Sequence, residues 1–393
     1  MTVSPRHDKV IRPLTTETIL KNAQIVLHDE IRLGSIRFDA SGILDISSGP
    51  SGVAGEDCDG DFVIPGLVEL HTDNVERHFQ PRPNVFWPNH HAAVLAHDAE
   101  MASAGVTTVF DALSIGDYDG NNHARRALFA GMVQGVTEAM AQGACKIEHH
   151  LHFRCELSDP RLLETLEPLA QSHPVALASL MDHTPGQRQW RDTTTLKSYM
   201  ARNGMTDLEI EESLAKRIAR GSRYAPQNWT AVLALFAGKD VVLATHDDTT
   251  IADIDQGADA GIRISEFPCS LEAAQHARRK GMRTIGGAPN IVRGGSHSGN
   301  VSIMDLAKAG ILDALSSDYV PSSLLQAVFT VAQELERPLY EMVRLVTSNT
   351  ARMVGLDDRG VIAPGKRSDL VRLHHRGAAP AVQAVYAQGR RVR

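Results

Sequence analysis

The stretch Val63-Ile64-Pro65-Gly66-Leu67-Val68-Glu69-Leu70-His71-Thr72-Asp73 decides the fold. Its apolar run is short, bounded and rich in β-branched and aliphatic residues, as a strand buried on both faces should be. It delivers His71 and Asp73, two apart, so on an extended strand end both side chains point the same way and one metal ion can take both. An H-x-D pair alone is weak evidence, and a surface histidine beside a turn aspartate would look the same. The buried strand in front of it strengthens the reading.

Working outward from this strand, seven more strand-like runs follow at residues 107–112, 146–153, 175–181, 241–245, 262–266, 284–287 and 311–316, with the first at 66–70. Helical patterns lie between most of them, at 92–104, 124–142, 206–224, 271–280 and 301–309. Eight buried parallel strands with crossover helices make an α/β fold, a (β/α)8 TIM-like barrel. Outside the barrel, residues 23–27, 34–38 and 43–46 read as short strands broken by turns, as do 370–373 and 382–386. The expected organisation is a small β-sandwich domain built from both chain ends, residues 1–62 and 360–393, around a metal-dependent hydrolase barrel at 63–359.

Composition narrows the function classes. The net charge is −7 with no Lys/Arg-rich block, which argues against a nucleic-acid partner. The four cysteines are dispersed with no CxxC pair, so neither a disulfide framework nor a Cys-rich zinc site is expected. The N-terminal residues show no apolar signal-peptide core and no run approaches a membrane span, so a cytoplasmic enzyme without membrane partner is expected. Eighteen histidines, nearly one residue in twenty, are unusual.

Polar residues just after barrel strands face the catalytic end of such a fold. That rule selects His71, Asp73, Asn74 and Glu76, then Asp111, then residues of the third strand. It continues with Asp182 and His183, His246 with Asp247 and Asp248, Glu266 and Asp318. Histidines and carboxylates converging from separate strands are an N/O ligand set suited to Zn²⁺ or Mn²⁺. On the third strand Lys146, Glu148, His150, His152, Arg154 and Glu156 share one parity. Six polar groups facing a dry barrel would be costly, so only the later ones, Arg154 and Glu156 and then His152, are placed to reach a metal. His183 and His246 follow strongly apolar strands. Asp318 closes the last strand, where it can bind metal, take a proton from the attacking water, or cap a helix.

The chain resembles the amidohydrolase superfamily at both ends. Residues 63–71 are similar to that superfamily's opening strand with its metal histidine, and Ala363-Pro364-Gly365-Lys366-Arg367-Ser368-Asp369-Leu370-Val371 to its closing signature. One departure is that Asp73 stands where the superfamily usually has a second histidine. His71-Thr72-Asp73-Asn74 with Arg82-Pro83 and Trp87-Pro88 resembles the superfamily's diphosphatases of phosphonate catabolism, in the carbon–phosphorus lyase pathway. So do residues 181–187, 265–268 and 317–323. The resemblance implies a metal-dependent hydrolase acting on a phosphoric anhydride, with a phosphorylated sugar as substrate. That substrate would be a ribose 5-triphosphate bearing a methylphosphonate, cleaved to the 5-phosphate and pyrophosphate.

The same resemblance implies one or two divalent metal ions, zinc first and manganese or iron as alternatives. Their ligands would be His71, Asp73, His183, His246 and Asp318, with Glu156 from the third strand, and Glu148 or a carbamylated Lys146 behind it. Asp318 would orient the water and accept its proton. Cationic side chains must hold the polyphosphate. Arg77, Arg82, Arg188, Arg191 and Arg293 are the candidates, with Glu266, His297 and Ser322 completing the substrate-binding set. The glycine-rich segment 293–300 can wrap a phosphate with backbone amides or be an ordinary barrel loop. Two other readings stay open: an amidohydrolase cleaving a C–N bond (a deaminase or deacylase), and a non-enzymatic scaffold of the same fold. A homodimer is compatible with all three.

Overall fold

The computed structural model describes residues 17–82, 85–116, 123–296, 298–375, 377 and 379–393, with no side-chain description for 123–127. Two eight-stranded sheets organise these residues. The first takes β1 (Thr18–Val26), β2 (Ile31–Asp39), β3 (Gly42–Ser48), β4 (Glu56–Asp57) and β5 (Phe62–Pro65) from the start of the chain. The second is all parallel and runs in chain order through β6 (Leu67–Thr72), β7 (Val106–Ile115), β8 (Glu148–Glu156), β9 (Val175–Met181), β10 (Val242–His246), β11 (Ile264–Glu266), β12 (Arg283–Gly287) and β13 (Ala314–Ser316). The end of the chain then returns β14 (Leu370–His374), β15 (Ala381–Ala387) and β16 (Arg390–Arg391) to the first sheet, where β14 pairs antiparallel with β5.

Each expected barrel strand overlaps an observed one, because strands covered on both faces are continuous apolar runs. All ten residues of β7 are buried, for example. The helices Leu162–Ser172, Thr194–Arg202, Ile251–Asp259 and Ser323–Glu334 complete the crossover layer. The chain passes from one sheet to the other at Gly66, not at residue 63, since Phe62–Pro65 pairs with β1 and β14. Gly66 donates its N–H to the Asp369 carbonyl (2.8 Å), and a Cβ there would collide with the Thr107 side chain. No helix among the described residues is long and apolar enough to cross a membrane.

The barrel interior is filled from its lower end by Val68, Leu70, Phe110, Leu177, Ala244, Ile264, Ile285 and Ala314. The polar column on β8 is resolved rung by rung. Glu148 pairs with Arg359 (3.0 Å) and Arg367, and accepts from His150 (2.9 Å), whose ring stacks on Phe110. His152 meets the Leu70 carbonyl (2.9 Å) and the Ser179 hydroxyl. Arg154 and Glu156 stand above them. The expected cost of inward polar groups is thus offset by a partner at every rung.

The two ends of the barrel path meet at a seam between β6 and β13. Thr72 pairs in parallel with Asp318, which donates its N–H to the His71 carbonyl (3.2 Å) and accepts from the Asp73 N–H (3.1 Å). Beneath this, the buried Glu69 carboxylate bridges the seam. Its Oε1 accepts from the His71 N–H (2.7 Å) and the Ser316 hydroxyl (2.9 Å), and its Oε2 from the Ser317 N–H (2.6 Å). Burial pushes its pKa up to about 7 against these donors. Glu69→Gln turns an acceptor into an NH₂ facing either the Ser317 amide or the His71 amide. We expect it to cost about 1–3 kcal/mol, read as a lower denaturation midpoint with unchanged far-UV dichroism; an unshifted midpoint would remove Glu69 from the seam.

Candidate metal centre

At the upper rim, His71 ends β6, His246 ends β10 and Glu266 ends β11, all buried. One Glu266 oxygen, Oε2, receives three donors: His71 Nδ1 (3.0 Å), His246 Nδ1 (3.2 Å) and Ser179 Oγ (2.6 Å). The two imidazoles stack with centroids 5.2 Å apart. Burial lowers both their pKa values, that of His71 well below the usual range and that of His246 to about 3. Each ring is therefore neutral, donates through Nδ1, and keeps the lone pair of Nε2 for another partner. His71 Nε2 is buried with no hydrogen-bond partner.

Beside them, His183 donates from Nδ1 to Glu156 Oε2 (2.5 Å), and its Nε2 lies 3.9 Å from Asp247 Oδ2. Burial pulls the His183 pKa down, but the Glu156 charge raises it overall. Asp247 is 3.5 Å from His246 Nε2, and burial raises its pKa against the nearby His183 and Arg188. Asp247, Phe267 and Asp318 all have left-handed backbones, φ 56°, 51° and 52°. The chain thus leaves β10, β11 and β13 through a conformation that residues other than glycine seldom adopt, a departure that clusters at functional sites.

Two further carboxyls face this group. Burial drives Asp73 up to about 6 despite the Arg154 guanidinium, 3.7 Å away, and Asp73 Oδ1 has no hydrogen-bond partner. Burial and then the neighbouring Asp73 charge raise Asp318 to about 7. Neutral imidazoles with open Nε2 atoms, beside buried carboxyls that resist ionisation for lack of countercharge, fit a divalent cation. Of the four clusters among the described residues whose ligand atoms are close enough to share an ion, two lie here: His71, His246 and Glu266, and His183, His246 and Asp247.

The structure thus gathers His71, His183, His246 and Asp318 around one cavity of ≈ 250 Å³, with Arg154, Asp247 and Arg293 on its wall. Asp73 joins from an adjoining chamber. Other expectations are corrected. Glu156 has both oxygens engaged, Oε2 by His183 and Oε1 by the Ser158 hydroxyl (2.6 Å), so it stands behind His183 instead of in front. Glu148 is held by Arg359 and Arg367 at the start of β8, and Lys146 precedes that strand, both far below Glu156 in the column. Glu266 lies fully buried beneath two imidazoles, a place for ordering them and not for meeting substrate.

The arginines also sort differently. Arg188 is buried and spends its Nη1 on Asp248 (2.8 Å) and the His246 carbonyl (2.9 Å), which braces β10. Arg77 donates to the Tyr319 carbonyl (3.0 Å). Arg82 is exposed and bridged to Val85, and Arg191 and Ser322 are exposed and off the cavity wall. Arg293 lines the cavity with Ser296, Ser298 and Asn300, while His297 lies outside the described residues. Asp111 belongs to a separate buried network, accepting from His97 (2.7 Å) and His149 (2.8 Å). Sequence reasoning had marked Arg154 and Asp247 by position alone; their roles depend on neighbours that spacing does not show.

With this fold and geometry in view, the chain belongs to the amidohydrolase family, whose model matches residues 99–393. It is 41% identical, over 379 residues, to the alpha-D-ribose 1-methylphosphonate 5-triphosphate diphosphatase of Escherichia coli (strain K12), covering 95% of this chain and all of that one. Among solved structures, it superposes on 5-methylcytosine deaminase from Klebsiella pneumoniae with a TM-score of 0.64 at 13% identity, over 95% of this chain and 98% of that one. Dihydropyrimidinase from Brevibacillus agri NCHU1002 gives a TM-score of 0.60 at 13% identity, over 96% and 95%. At such identities these two establish the fold alone.

Two outcomes follow from the geometry. Glu266→Ala removes the acceptor that fixes both histidine tautomers, and metal affinity should fall 10- to 100-fold; equal affinity by competition with a chelating dye would show that Glu266 does not order them. The second concerns pH. Asp73 and Asp318 have folded pKa values above their unfolded ones, so their contribution to apo-protein stability is full below about pH 4 and is lost as pH rises through about 6–7. A cation favours the ionised pair, so its stabilising effect grows over that same interval. The rise in melting temperature on adding Zn²⁺ or Mn²⁺ to chelator-treated protein should be larger at pH 8 than at pH 5. A pH-independent rise would contradict this.

Proposed function

We propose that this chain hydrolyses α-D-ribose 1-methylphosphonate 5-triphosphate to the 5-phosphate and pyrophosphate, in phosphonate catabolism. The observation that carries the proposal is the full-length likeness to the Escherichia coli diphosphatase, together with the His/Asp centre that this sequence places at the barrel rim. The composition of the cavity supports it. Arg154 and Arg293 line it with Ser296, Ser298 and Asn300, donors suited to phosphate oxygens.

In this reading His71, His183, His246, Asp73, Asp247 and Asp318 hold one or two divalent ions, zinc first and manganese or iron as alternatives. A bound ion supplies Lewis acidity at a phosphoryl oxygen and lowers the pKa of water towards about 7. The protein does the rest. Glu266 and Glu156 keep the histidines oriented through their Nδ1 atoms. Asp318 receives the proton of the attacking water at its carboxylate, which a bound cation would keep in the ionised form that a base needs. The P–O bond between the α and β phosphorus atoms breaks, and Arg154 and Arg293 balance the charge that pyrophosphate carries away.

The test is pyrophosphate release from the ribose 5-triphosphate by metal-reconstituted protein against a chelator-treated control. We expect metal-dependent release, and a loss of about 10²-fold or more in kcat for Asp318→Asn with metal retained. No release by intact, metallated protein would move the reaction to a C–N bond; a near-normal Asp318→Asn rate would remove Asp318 as the base.

A further inference from the structure

Next to the small cavity lies a second chamber of ≈ 690 Å³, and the two share Arg154, His183 and Gln189 as a common edge. We propose that this chamber is the subsite that selects the substrate, holding its ribose and methylphosphonate end while the small cavity holds the two departing phosphates. The inference rests on the reaction proposed above and adds which half of the substrate lies where.

The two spaces differ in chemistry. Setting aside the side chains offered to metal, the small cavity presents the donors Arg293, Ser296, Ser298 and Asn300 together with apolar groups such as Phe267, Val301 and Ile303. The larger presents Trp190, Leu196, Tyr199, Met200 and Met205, with Ser114, Asn203 and Ser213 as neutral polar groups and, away from the shared edge, Glu76, Glu156 and Arg217 as charged ones. Pyrophosphate carries several charges and no C–H surface, so it needs donors to replace the water it loses, and Arg293, Ser296, Ser298 and Asn300 supply them. A sugar ring and a phosphorus-bound methyl group do have C–H surface, which aromatic rings and thioethers can cover. The single negative charge of the methylphosphonate matches Arg217. The charges of the triphosphate match the small cavity, and the scissile bond falls at the shared edge, where Arg154 and His183 stand.

The wall of the chamber is a unit of its own. The helices Thr194–Arg202 and Asp207–Phe236 are inserted between β9 and β10 and joined at a capping box of Thr206 and Glu209. Leu196, Met200, Ile210 and Leu214 form a separate small core there, with Trp190 and Met205 packed against it. Tyr199 projects from this unit 63% exposed, a large ring that the core does not use. An exposed aromatic at the rim of a chamber that opens onto the reacting centre is placed to close over a sugar.

The experiment compares equilibrium binding of the two products, 5-phosphoribose 1-methylphosphonate and pyrophosphate, to the metal-loaded full-length protein by calorimetry. Tyr199→Ala leaves the small core intact and should weaken the sugar product about tenfold, with pyrophosphate affinity within about twofold. Arg293→Ala should do the reverse. Equal weakening of both products by Tyr199→Ala, unchanged sugar affinity, or a wild type that binds no sugar product would overturn the subsite. Failure of the reaction itself is separately visible, as a wild type that binds sugar product yet releases no pyrophosphate from the triphosphate; that outcome overturns the division of the substrate as well.

Discussion

The Glu69 carboxylate is the constraint on which the rest of the barrel depends. A ring of eight parallel strands has one joint where chain order cannot help, and here residues 69 and 317, 248 apart in sequence, must be brought together. Three donors from both sides of that joint converge on Glu69 in a space without water. A hydrophobic contact would close the ring but would not fix its register. A buried acceptor with directed partners does both, because any slip leaves a polar group unsatisfied. His71 and Asp318, the residues immediately above, inherit their positions from that register.

The layer above repeats the same device with a different purpose. Glu266 and Glu156 each turn an imidazole so that its second nitrogen faces the cavity, and neither carboxylate is itself presented to solvent. Asp73, Asp247 and Asp318 are packed where burial and mutual repulsion oppose their ionisation. This is an unfavourable arrangement for a protein alone, and it becomes favourable once positive charge arrives. Local instability of the empty site is therefore a property of its design as a cation receptor. The His97–Asp111–His149 network differs in this respect: its donors and acceptors satisfy one another, and Asp98 completes it through His149 (3.2 Å).

Much of this was legible in the sequence because burial writes itself as apolar runs. All eight strands and the ends that carry His71, His183, His246 and Asp318 could be read that way. The helices Leu162–Ser172, Thr194–Arg202, Ile251–Asp259 and Ser323–Glu334 were not, and the second of these forms part of the proposed substrate chamber. What failed at the site was the step from position to partner. Arg188 follows a strand end as expected, yet its left-handed backbone (φ 47°) and its bond to Asp248 turn it into the wall. Glu156 is at the right height on β8 but is claimed by His183. Spacing specifies which residues reach the rim, whereas the pairing of buried charges decides which of them remain available there.

The passage through Gly66 has a consequence for how the protein is made. The same run of chain that becomes the last of the early strands in one sheet continues as the first strand of the other, with no linker to absorb delay. Its partner β14 is synthesised about three hundred residues later, and the far side of the Glu69 joint lies 248 residues on. β1 covers one edge of β5 and β7 one edge of β6 early, but the other edge of each, including the one beside His71, waits until most of the chain has left the ribosome. Non-local closure of this kind is slow and leaves unpaired strand edges open to aggregation. Production of the protein should accordingly depend on protection of the nascent chain more than on the stability of the finished one.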